Sequence, residues 1–286
     1  MREPIHVPMN PTLKGQAEVL EHIQYSANGQ ELTLILPWAV HDNRREQEKH
    51  PLIVFVQGSA WRTPNKGYEI PMLSHYAEKG LAVASVGHRS TEEGHPFPAF
   101  LQDVKCAIRF LRAHADEYAL DTSRIAAFGT SSGGHTVCML GVTGNDEQYR
   151  TEEYPDESDA VDLVVACFPP TDFHAMFVPM MQNPNAGPFL HAILGDRADR
   201  WEEEFTRYSP ARLVEKGKEY PPFMLLHGTG DPVVPWQQTE IMAKALDEAG
   251  VPVRVVYVDG AEHEGNFWSG QVRSLIEEEI LGCLRP

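Results

Sequence analysis

Residues Gly129-Thr130-Ser131-Ser132-Gly133 place a serine between two glycines at a spacing suited to nucleophilic catalysis. An apolar run ending at Phe128 precedes them, and an apolar segment expected to be helical, His135 to Val142, follows. A strand turning this sharply into a helix crowds the positions two residues either side of the serine, so glycine is required there. The serine hydroxyl is then exposed above the sheet edge. Ser132 is the nearest rival as nucleophile, but its own frame lacks a glycine at position 130. The chemistry expected of Ser131 is attack on an acyl carbon. The backbone N–H of Ser132, at the start of the helix, would face the oxyanion.

Such a serine needs a base and an acid, expected in the chain order serine, acid, histidine. Asp231 follows the apolar run Phe223 to Leu226 through His227-Gly228-Thr229-Gly230. His263 lies in Asp259-Gly260-Ala261-Glu262-His263-Glu264-Gly265, after the run Val253 to Val258. Both positions lie beyond the carboxyl ends of strands, where sheets of this kind carry their chemistry. His263 would take the serine proton and return it to the leaving group, while Asp231 orients the ring. The chain has 13 histidines. His227 reads as a structural hydrogen-bonding residue, and His88 and His95 as loop residues. Asp172 and Asp259 are the rival acids.

A second N–H donor to the oxyanion is expected after the run Leu52 to Val56, where Gln57-Gly58-Ser59-Ala60-Trp61 offers small residues. Gly58 and Ser59 are the expected donors beside Ser132, each donor contributing roughly 3 kcal/mol. Trp61, Phe177, Met180 and Trp268 could shape a substrate pocket. No clustered His/Asp spacing suggests a metal site.

The elements that must hold these loops alternate. Short unbroken apolar runs at 52–56, 81–86, 124–128, 161–167, 223–226 and 253–258 suit strands covered on both faces. Between them, Phe100, Leu101, Val104, Ala107, Ile108 and Leu111 recur at helical spacing, and Trp236 to Ala249 and Gln271 to Leu281 read likewise. Near the N-terminus, Asn28-Gly29 predicts an antiparallel hairpin across His22 to Leu36, and His41 to His50 reads as a surface loop. The expected architecture is one α/β domain over residues 1–286: a doubly wound, mostly parallel sheet preceded by an antiparallel hairpin. Residues 173–220, rich in proline, methionine and aromatic residues, interrupt the alternation and read as an inserted cap or lid.

Bulk composition narrows the partners. A net charge of −17 repels nucleic acid and anionic lipid, so neither nucleic acid nor a membrane is expected. The four cysteines form no CxxC pair and imply no disulfide framework. No signal-peptide core or long apolar span stands in the chain as given, so a cytoplasmic location is expected. Homo-oligomer formation is left open.

The segments Phe55 to Trp61, Gly94-His95-Pro96-Phe97-Pro98-Ala99-Phe100-Leu101-Gln102-Asp103-Val104 and Gly129 to Gly134, with the two late loops, resemble the bacterial bifunctional feruloyl and acetyl-xylan esterases. These lie within the carboxylesterase branch related to hormone-sensitive lipase. Gln57 to Trp61 is the most specific part, although glutamine stands where that branch has histidine, and Ser59 and Ala60 stand where it has glycines. The resemblance runs from residue 20 to the C-terminus. It implies the α/β-hydrolase fold, no cofactor, and a serine esterase acting on small-molecule or oligosaccharide esters, with acetyl or feruloyl groups on plant-wall sugars as the substrate class. An amidase or peptidase on the same scaffold, and a non-catalytic binding protein, are the alternatives.

Overall fold

Alternation decides how each central strand is buried. In β3 (His50–Val56), Leu52, Val54 and Val56 enter one apolar core while Ile53 and Phe55 enter another. In β5 (Leu120–Thr130), Ile125 and Ala127 face the first core, and Ala126 and Phe128 the second. A strand covered on both faces has no polar side to show, which explains the unbroken apolar runs.

The computed structural model describes residues 2–11, 14–38, 48–182 and 186–285. Most of the loop expected at 41–50 therefore lies outside the described residues. Eight strands form one sheet in the order β1-β2-β4-β3-β5-β6-β7-β8. The remaining strands are β1 (Ala17–Gln24), β2 (Glu31–Pro37), β4 (Ala82–Val86), β6 (Leu163–Cys167), β7 (Phe223–Gly228) and β8 (Val253–Val258). β1 pairs antiparallel with β2, and β2 with β4; every pairing from β4 onward is parallel. Helices α1 (Ile70–Glu78) and α9 (Gly270–Leu284) supply residues to one core. Helices α2 (Ala99–Ala113), α3 (Ser131–Val142) and α8 (Gln237–Ala249) supply residues to the other. This is the expected doubly wound sheet with its leading hairpin, the α/β-hydrolase fold.

Two local details differ from the sequence reading. The hairpin loop spans 25–30, and only Gly29 is left-handed (φ 84°), its N–H bonding the Ser26 carbonyl. Asn28 instead donates a side-chain hydrogen bond to Asp103 Oδ1 at 3.1 Å. β5 begins four residues before the apolar run, because Leu120 and Asp121 pair with His50 and Pro51 ahead of a register shift. The stretch 173–220 contributes no strand among the described residues. It folds as α4 (Phe173–Phe177), α5 (Ala186–Leu194), α6 (Trp201–Arg207) and α7 (Pro210–Leu213), with 3-10 turns on either side of α5. Among the described residues, no helix is long and apolar enough to cross a membrane.

β3 and β5 are neighbours whose following connections leave in opposite directions, to β4 on one side and β6 on the other. The crevice beyond their carboxyl ends is where such sheets offer a site.

Candidate active site

β5 passes into α3 without a loop, and the change of direction falls on Ser131, whose φ is 52°. A non-glycine residue there carries about 1–3 kcal/mol of strain and stays there only if its surroundings fix it. They do: a Cβ on Gly129 would stand 2.4 Å from the Gly133 carbonyl oxygen, and one on Gly133 would stand 2.0 Å from that of Val56. The two glycines thus let strand, turn and helix close on one another and on β3.

Ser131 Oγ lies 3.0 Å from His263 Nε2, and His263 Nδ1 lies 2.6 Å from Asp231 Oδ2. A carboxylate can only accept, so the ring proton sits on Nδ1 and Nε2 is left to accept from the serine hydroxyl. Asp231 follows β7 and His263 follows β8, so neighbouring strands deliver both side chains to the rim. The Asp231 side chain is wholly buried. Burial alone would raise its pKa. Hydrogen bonds from His227 and His263 and from the N–H groups of Val233 and Val234 outweigh it and hold the carboxyl well below the usual carboxylate range. The Phe168 ring lies 4.5 Å from that of His263. Ala60, Trp61, Phe168 and Glu264 are, like Ser131, left-handed without being glycine, so backbone strain gathers at these strand ends.

The other candidates are occupied elsewhere. Asp172 caps α4 through the Ala175 N–H and pairs with Arg212, and Asp259 is exposed. His227 is buried between the Thr239 hydroxyl and the Val234 carbonyl. His88 is buried against the Arg89 carbonyl, and His95 lies in a surface hollow beside Phe97 and Arg197.

The loop after β3 departs from the sequence reading in one respect. The Gly58 N–H donates to the buried Thr130 hydroxyl at 2.9 Å, so it is turned into the protein. The Ser59 N–H donates to Ser132 Oγ, also at 2.9 Å. The two hydroxyls flanking Ser131 thus hold both N–H groups expected to face an oxyanion, a competition that backbone spacing alone does not reveal. Ser132 lies in the first turn of α3, where N–H groups have no intrahelical acceptor. Among the described residues the Ala60 N–H has no acceptor either, which makes it a candidate donor that the sequence reading passed over.

Trp61 and Phe177, read as pocket walls, are only 4% and 3% exposed. They share an aromatic cluster with Phe173, with ring centroids 4.9 to 6.3 Å apart. Trp268 is half-buried beside Phe267 and donates its indole N–H to Glu264. Met180 stands in the turn Val178–Gln182, and its side chain lies outside the described residues.

Residues 39–246 match the model of the BD-FAE family. Esterase LipC of Mycobacterium tuberculosis is 34% identical over 201 residues, covering 68% of this chain and 48% of LipC. The chain thus spans about half the length of that curated relative. Among solved structures, a truncated carbohydrate esterase from gut microbiota aligns with a TM-score of 0.75 at 28% identity, covering 95% of this chain and 99% of that one. A bifunctional GH43-CE protein of Bacteroides eggerthii gives a TM-score of 0.78 at 29% identity over 92% of this chain and 35% of its own. With the family model matching well over half of its residues, the chain belongs to the BD-FAE family.

Proposed function

We propose that the chain is a serine carboxylesterase that removes short acyl or hydroxycinnamoyl groups, acetyl and feruloyl among them, from plant-wall carbohydrate. The observation that carries this reading is the run of contacts Ser131 Oγ, His263, Asp231 at 3.0 and 2.6 Å. The carbohydrate class draws on the family and on the carbohydrate esterases among the related structures.

In this mechanism His263 Nε2 takes the hydroxyl proton as Ser131 Oγ bonds to the acyl carbon, and the carbonyl pair moves onto oxygen. Collapse of the tetrahedral adduct breaks the bond to the alcohol, which leaves with the proton from His263. Water then repeats the sequence on the acyl-enzyme, releasing the acid and restoring Ser131. Asp231 stays ionised and stabilises the imidazolium. The oxyanion would be met by N–H groups of Ser132 and Ala60, the Ser59 N–H being held by the Ser132 hydroxyl, with Gly58 as the spacer that lets the loop approach. Residues 173–220 would act as the cap of a single domain. The four cysteines are free thiols, in keeping with a cytoplasmic location.

A fluorophosphonate probe tests the reading. It should label the wild-type protein and not the Ser131→Ala variant; equal labelling, or none of the wild type, would overturn it. Turnover of p-nitrophenyl acetate, acetylated xylan and methyl ferulate should exceed that of an aminoacyl anilide. The reverse order would make the chain an amidase or peptidase.

A further inference from the structure

We propose that His135 is a positioning residue for hydrolysis: from the helix that begins with the nucleophile, it holds Trp61 and thereby the loop that meets the oxyanion. This rests on the esterase reading above. The Trp61 indole N–H donates to His135 Nδ1 at 3.1 Å, and His135 Nε2 lies 2.8 Å from the Tyr208 carbonyl oxygen. An indole N–H can only donate and a carbonyl can only accept. The ring is therefore neutral with its proton on Nε2. One nitrogen holds the oxyanion loop, and the other holds the stretch 173–220.

Three observations give the arrangement its purpose. Ala60 and Trp61 are consecutive residues in the left-handed region, a conformation that persists only where the surroundings fix it. The Trp61 carbonyl is held by the N–H and hydroxyl of Thr91, so the residue is anchored at both its backbone and its ring. His135 itself is completely buried, with the rings of Trp61 and Phe173 centred 5.4 and 4.9 Å away. Burial pushes its pKa down to about 4 against the Tyr208 carbonyl, so the ring remains a neutral acceptor for Trp61. Protonation would set Nδ1–H against the indole N–H. His135 lies four residues beyond Ser131 on α3, so nucleophile and loop are referenced to the same helix.

Replacement by the two amides separates these two contacts. Asparagine can present its oxygen near the place of Nδ1, keeping the Trp61 bond and losing Tyr208. Glutamine can present its NH2 near the place of Nε2, keeping Tyr208 and losing Trp61. With p-nitrophenyl acetate, His135→Gln and Trp61→Phe should each lower kcat by about 10- to 100-fold with KM little changed. His135→Asn should recover most of that loss. The double variant Trp61→Phe/His135→Gln should lose no more than either single one, because both remove the same bond. Fluorophosphonate labelling rates should follow kcat. Circular dichroism identifies folded variants, and Trp61→Phe alone carries the kcat test if the His135 variants do not fold. Equal activity of the Asn and Gln variants, additive losses in the double variant, a loss confined to KM, or wild-type kcat in Trp61→Phe would overturn the proposal. If the wild-type protein neither turns over esters nor takes the probe, the esterase reading is what fails. An active wild type with any of the outcomes just named sinks this inference alone.

Discussion

A Cβ placed on Gly58 would stand 2.8 Å from the Cβ of Ser131, closer than side-chain carbons approach in real structures. The Thr130 carbonyl oxygen, which cannot swing aside, lies equally near. We therefore expect Gly58→Ala to push the loop away from Ser131. It should lower kcat/KM by about 100-fold, the scale of loss that an ångström of misplacement brings. Wild-type kinetics in this variant would mean that the loop does not serve the reaction.

Asp231→Asn should lower kcat by about four orders of magnitude, because an amide can hold the ring in the wrong tautomer and cannot stabilise the imidazolium. Its effect on stability depends on pH. The native carboxyl is held below its unfolded value, so its contribution is present above about pH 4 and is lost as the pH falls further. The difference in Tm between wild type and variant should therefore narrow on acidification from pH 7 to pH 3, as thermal melts would reveal. A constant difference would contradict this.

Glu69 is the opposite case. Burial, with the neighbouring Glu264 charge adding to it, raises its carboxyl to about 7, while Arg273 works against the shift. The folded protein then holds this proton more tightly than the unfolded chain. The cost of ionising Glu69 is absent below about pH 4 and grows until about pH 7. Glu69→Gln should stabilise the protein by about 1–3 kcal/mol at pH 8 and by almost nothing at pH 4. Denaturant titrations at the two pH values would settle the sign.

Asp159 sits wholly buried between Lys105 and Arg109, 2.7 and 3.1 Å from their nitrogens. Asp159→Ala would leave two cations inside the protein without their counter-charge. It should destabilise by about 3–5 kcal/mol. Urea unfolding is the measurement, and a loss under about 1 kcal/mol would show that water or rearranged carbonyls replace the carboxylate.

The fold was legible because β3 and its neighbours are apolar on both faces, and because strand ends followed by Gly-x-Ser-x-Gly or Gly-x-Gly-Asp punctuate the chain. Chain order and strand ends were also enough to single out Ser131, Asp231 and His263, three residues that the structure places in hydrogen-bond contact. What escaped the sequence depends on side chains competing for backbone groups. Nothing in Gln57-Gly58-Ser59 says that the hydroxyls of Thr130 and Ser132 will take two of its N–H groups. Nor does the sequence tell that Trp61 turns inward to a histidine 74 residues away. The start of β5 was hidden because the polar residues Asp121 to Arg124 separate Leu120 from the apolar run.

Helix α3 carries Ser131 at its first position and His135 one turn later, and its Gly133 leaves no slack against Val56 of β3. Ser131 and the loop after β3 therefore behave as a single casting. Selection for new substrates would find little to adjust there without breaking the whole. Diversity is expected to accumulate in residues 173–220, whose short helices can be reshaped while that casting stays as it is.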